Sequence, residues 1–120
     1  MKTIFVFGSN LAGRHGKGAA LFARKNYGAV YGVANGPTGQ AYAIPTKDER
    51  FAALPIDKIS EYVSDFCLYA RSYPDINFQL TPVGTGLAGI PKRTMVKLFH
   101  QHKIPSNVFL TSTWIYEESA

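Results

Sequence analysis

Two stretches of this chain share one grammar: an apolar, β-rich run, then a glycine-rich loop, then a helical pattern. The first is FVFGSNLAGRHGKGAALFARKNYG, residues 5–28, and the second is LTPVGTGLAGIPKRTMVKLF, residues 80–99. Residues 3–7 (TIFVF) predict a strand buried on both faces. Gly8 reads as the end of that strand, where the backbone turns into a loop. Residues 16–26 carry good helix formers, and Gly28 stands where a C-terminal cap belongs.

The rest of the chain continues the alternation. Residues 30–33 (VYGV) predict a weak strand, 35–40 (NGPTGQ) a turn, and 41–44 (AYAI) a short strand halted by Pro45. Pro55 suits a first helical turn, and Ile56, Ile59, Val63, Phe66 and Ala70 recur at helical spacing until Pro74. Asp57, Glu61 and Asp65 form the solvated stripe of that helix. Residues 76–83 return to strand character, Pro91 opens a helix with Met95, Leu98, Phe99 and His102 on one side, and 107–112 supply the last strand. Such alternation implies an α/β domain with a mostly parallel sheet and helices on its faces. Ligands of these folds sit at the carboxyl ends of the strands.

Composition narrows the class. A chain of 120 residues fits one domain, residues 1–120, and 46% hydrophobic against 18% charged residues excludes disorder. No apolar run has the length of a membrane span, and Met1 leads straight into a strand, so a cytoplasmic location is expected. Cys67 is the single cysteine, which leaves no disulfide framework and no cysteine-rich metal site; no metal and no cofactor are expected. The net charge of +5 favours an anionic partner. Basic residues without interleaved aromatics leave nucleic acid possible but not favoured. Oligomeric state is not legible.

The loops carry the chemistry. Gly8, Gly13, Gly16 and Gly18 surround Ser9, Asn10, Arg14, His15 and Lys17. Glycines let backbone amides approach an anion, and the following helix offers unpaired N–H groups and the positive end of its dipole. Gly84, Gly86 and Gly89, with Thr85, Leu87 and Ala88, repeat the arrangement, so two loops could hold a diphosphate from two sides. IPTKDER, residues 44–50, adds Lys47 at a third strand end. His15 reads either as a phosphate or proton contact or as an exposed loop histidine. Trp114 and Tyr116 follow the last strand, where packing of the tail outweighs stacking on a base.

These two stretches and GPTGQAYAIPTKDER, residues 36–50, resemble the successive ligand-binding segments of macro domains across roughly residues 3–113. The resemblance is nearest to the branch containing terminal ADP-ribose glycohydrolase and the antitoxins that remove ADP-ribose from DNA; small phage-encoded macro-like proteins are also similar. It implies a three-layer α/β domain, reduced at its amino end, that binds ADP-ribose or an ADP-ribosylated substrate and hydrolyses ADP-ribosyl linkages, or binds without cleaving. By the same resemblance Asn10 contacts the distal ribose and Lys47 acts at its anomeric carbon. Gly16, Lys17, Gly18 and the segment Gly84, Thr85, Gly86, Leu87 hold phosphates and ribose, and Thr38 joins the ligand-binding positions. Where that branch carries an acid–base aspartate after Gly-Leu, this chain has Ala88, and Asp48 or Glu49 is a possible substitute.

Overall fold

A computed structural model of the chain describes residues 2–114. In chain order its elements are β1 (Thr3–Asn10), α1 (Gly18–Tyr27), β2 (Gly36–Thr38), β3 (Ala41–Lys47), α2 (Ile56–Ser72), β4 (Asn77–Leu80), α3 (Lys92–Gln101) and β5 (Val108–Leu110), then a 3-10 turn, Ser112–Trp114. The strands form one sheet in the order β2-β3-β1-β4-β5, parallel throughout except for the antiparallel edge strand β2. The fold is therefore the mixed three-layer α/β arrangement that the alternating pattern implies.

Strand alternation decides what each helix covers. Ile4, Val6, Tyr42, Ile44, Phe78 and Leu80 point to one face and pack with Ile59, Val63, Phe66, Met95 and Phe99 of α2 and α3. Phe5, Phe7, Ala41 and Ala43 point to the other, against Ala20 and Ala23 of α1. Residue size is uneven between the faces: alanines at 41 and 43 leave room for α1, while Tyr42 and Ile44 fill the thicker α2/α3 layer.

Several segments differ from the pattern read in the sequence. The strand expected at 30–33 is absent; residues 31–32 form a turn, and the edge strand comes from 36–38, which had read as turn chemistry. Pro37 is accepted there because an edge strand leaves one flank unpaired. β3 runs through Pro45 to Lys47, since its pairing with β2 ends at Ala43 and a proline two residues on breaks no ladder bond on that flank. β1 passes through Gly8, which pairs with Ile44, and ends at Asn10. The fourth and fifth strands are shorter than 76–83 and 107–112; Pro82 follows the last contact of that run, a Thr81 N–H bond to Val6 C=O.

One buried amide ties the far end of the sheet to α2. Asn107 donates from Nδ2 to the carbonyls of Ala70, Tyr73 and Ile76 at 2.9, 3.0 and 3.0 Å. Those carbonyls belong to the end of α2 and the chain leading into β4. Trp114 is also buried, with its indole N–H on Leu80 C=O at 2.6 Å and its ring edge-on to Phe99. Tyr116 lies outside the described residues. Asn107→Ala should cost about 1–3 kcal/mol, the usual penalty for buried carbonyls left without a donor, measured as a shift in urea midpoint at unchanged slope.

Candidate ligand-binding cleft

The parallel register brings the carboxyl ends of β1, β3 and β4 to one edge. A bulge between Ser9 and Asn10 shifts the β1–β3 register by one residue, so Asn10 stands level with Lys47. Such a bulge re-aims a side chain at a strand end. The next strand over contributes Thr81, Pro82 and the loop beyond. Between these ends and the start of α1 lies a cleft of about 890 Å³. Its walls include Gly8, Asn10, Arg14, Gly16, Lys17, Gly18, Lys47, Gly84, Thr85, Gly86, Leu87 and Ala88.

Gly8 is explained by a close approach. A Cβ added there would sit 3.2 Å from the amide nitrogen of Gly84, so the central strand and the second loop touch backbone to backbone. Gly16, Gly18 and Gly86 present the opposite case. Added Cβ atoms at these three would meet nothing of the protein, and all three face the cleft. Their missing side chains leave an open cradle.

The first turn of α1 supplies donors to that cradle. Lys17 caps the helix without a side-chain hydrogen bond, and the first intrahelical bond runs from Leu21 N–H to Lys17 C=O. Gly18, Ala19 and Ala20, whose N–H groups precede it, line the cleft. No acidic residue occupies this first turn. The second loop works differently: α3 begins at Lys92, outside the cleft walls, so Thr85, Gly86, Leu87 and Ala88 contribute as loop rather than as a helix terminus.

Charge in the cleft is of one sign. Arg14, Lys17 and Lys47 line it, and no carboxylate does among the described residues. Burial pulls the Lys47 ammonium below its ordinary 10.5. Asp48 has its Oδ1 committed to the N–H groups of Arg50 and Ala52, at 2.8 and 3.0 Å, inside its own turn. Neither Asp48 nor Glu49 is part of the wall.

Five of the positions picked from the sequence stand elsewhere. The Ser9 hydroxyl is buried and donates to Ala34 C=O. Gly13 is in the left-handed region, its backbone against Gly32. Thr38 is buried and its hydroxyl accepts from Val30 N–H. Gly89 closes a turn through its N–H on Gly86 C=O. His15 is neither exposed nor in the cleft: it is fully buried, edge-on to Phe7 and beneath Tyr31, and neither ring nitrogen has a hydrogen-bond partner. These residues shape the loops whose neighbours line the cleft. Asn10 does both, since its amide donates to Arg14 C=O at 2.8 Å and accepts from Arg14 N–H at 3.0 Å while lining the cleft.

Sequence reading missed two aromatic walls, Tyr31 and Phe51, and the threonines Thr46 and Thr81. Tyr31 was hidden in a segment that reads as strand. Phe51 directly follows the charged run DER, and an aromatic placed there was the available signal. Elsewhere, Cys67 is buried in the core with its thiol pushed up by burial, and the Ser60 hydroxyl meets His102 Nε2 at 2.7 Å between α2 and the end of α3. Among the described residues no group of three or more His, Cys, Asp or Glu could hold a metal ion, and no helix is long and apolar enough to cross a membrane.

The structure is similar to the macrodomain of Mycobacterium tuberculosis DarG, with a TM-score of 0.64 and 19% identity over 92% of this chain and 89% of that one. The likeness establishes the macro-domain fold. No family model matches the chain, and no curated protein matches it.

The buried His15 has a consequence for acid stability. Burial, reinforced by the nearby Arg24 charge, holds the imidazole below its ordinary 6.5. The unfolded chain therefore takes up a proton at 6.5 that the folded chain refuses until lower pH. This contribution is present above 6.5 and is lost as pH falls through that window. In urea titrations at about pH 7 and about pH 5, the midpoint should fall further for the natural chain than for His15→Phe.

Proposed function

We propose that the cleft binds ADP-ribose or an ADP-ribosylated molecule. The observation that carries this reading is the open cradle: three glycines with empty space where side chains would stand, against an uncapped helix start and three cations. A diphosphate is the group such a cradle suits, because backbone amides and a helix dipole recognise phosphate oxygens at close range. The macro-domain fold of a protein similar over nine-tenths of this chain supports the choice of ADP-ribose among diphosphates. Asn10, with one N–H still unspent, is assigned to the distal ribose. Tyr31, half exposed in the wall, is assigned to the base.

The reaction assigned to the site is hydrolysis of an ADP-ribosyl linkage, as in the glycohydrolase and antitoxin branch that the motifs resemble. Lys47 stands beside Asn10 at the β1–β3 edge. When neutral, its amine bonds the anomeric carbon as the bond to the acceptor breaks and the acceptor departs with the amine's proton. Water then releases ADP-ribose and restores the lysine. When protonated, the amine acts as a fixed charge. A depressed Lys47 pKa supports the first role, since the neutral form is then reached at lower pH. Turnover through a neutral amine should rise with pH through that lowered value, whereas affinity for the anion should fall.

A second reading has its own support. With Ala88 where the branch has its aspartate, and Asp48 spent on its own turn, the cleft has no acid–base carboxylate among its described walls. A reader module that binds without cleaving fits that wall.

Calorimetric titration with ADP-ribose, against AMP, ATP and NAD, tests the binding. Selective binding at micromolar affinity or better is expected; equal affinity for all four, or none, would overturn the assignment. Gly86→Val should weaken binding at least tenfold while leaving the unfolding free energy within about 0.5 kcal/mol, because its added carbons enter ligand space rather than protein. Lys47→Ala should abolish release of ADP-ribose from modified protein, DNA or small molecules while keeping much of the binding. Unchanged turnover in that variant excludes the lysine mechanism, and no turnover from the natural chain favours the reader.

A further inference from the structure

After Lys47 the chain reverses within a few residues. Lys47 bridges Ala53 in antiparallel fashion, Asp48 N–H bonds Ala52 C=O at 2.8 Å, and Phe51 N–H bonds Asp48 C=O at 3.1 Å. Leu54 N–H returns to Thr46 C=O at 2.9 Å. In reversals of this shape the residue after the turn adopts the left-handed conformation, and that place ordinarily belongs to glycine. Here it is Phe51, at φ 67°. A bulky residue in this region is strained and persists only where its surroundings hold it.

The ring is not used to build the core. Phe51 is 44% exposed and lines the cleft. Its ring centroid is 5.8 Å from Lys47 Nζ. The Asp48 carboxylate, by accepting from Arg50 and Ala52, fixes the turn that presents it.

We infer that Phe51 is a positioning residue for Lys47, kept in a strained conformation so that its ring shields one side of the ammonium at the cleft wall. The inference rests on Lys47 being the working group of the proposed site. The ring limits both where Nζ can point and how much water reaches it. The other charged groups are Arg14 and Lys17 in the cleft wall, and Asp48, Glu49 and Arg50 in the turn itself. Burial is the cause that depresses Lys47, and the Phe51 ring is the cover that stands over its Nζ.

The test needs no nucleotide. Competitive acylation of the lysines with acetic anhydride across pH, read by mass spectrometry, gives each amine's titration in the folded chain. Nα-acetyl-lysine amide added to the same reaction serves as the reference amine. Phe51→Gly suits the backbone conformation and removes the ring, so the fold is retained. Phe51→Leu keeps an apolar cover. Lys47 in the natural chain should titrate below the reference amine, remain so in Phe51→Leu, and move up toward it in Phe51→Gly. Its neutral fraction at fixed pH then falls about tenfold per unit moved. A Lys47 titration identical in Phe51→Gly and the natural chain would overturn the inference. If the natural chain binds no ADP-ribose but Lys47 still responds to Phe51, the ligand assignment fails and this inference stands. Where turnover is detected, Phe51→Gly should lower kcat more than it raises KM.

Discussion

The contact between Gly8 and Gly84 is what the rest of the cleft depends on. A Cβ on residue 8 would reach to 3.2 Å from a backbone nitrogen that has little freedom to yield. Because residue 8 has none, the central strand passes directly beneath the second loop. From there β1 continues two residues further, to the bulge that sets Asn10 level with Lys47. Three strand ends thus meet at a backbone crossing flanked by the Thr46 side chain. Gly84 itself adopts φ 77° with Ile90, Thr46 and Met95 around it, so the crossing is packed from both sides.

Much of the fold was legible because apolar periodicity and packing agree. The helix from 56 shows its buried stripe openly, and the structure buries Ile59, Val63, Phe66 and Ala70 on it. The edges of the sheet were not legible. A three-residue strand such as β2 has no period to detect, and GPT looks like a turn until Ala41–Ala43 offers it a partner. Pro45 was misleading for a related reason: a proline stops a strand only where its missing N–H is needed.

The cleft was legible in part for the same kind of reason. Glycines and cations at strand ends mark a place where backbone and charge converge, and most of those residues do line one space. Others in the same loops turned inward. Ser9, Thr38 and His15 are polar residues that sequence alone assigns to ligand as readily as to core, and only their neighbours decide. The two aromatic walls escaped because neither belongs to a periodic pattern. Phe51 in particular is conspicuous only once its backbone conformation is known.

Among the described residues the sheet ends at both sides in strands of three residues, β2 and β5. Three residues span about 10 Å of backbone, with few exposed ladder groups on the outer side. Phe109 and Leu110 are half exposed on β5, yet the strand beneath them is too short to template a long pairing. Each open edge therefore gives a second chain little to register against. The net charge of +5 adds repulsion between copies, so short edges and like charge both work against sheet-to-sheet growth.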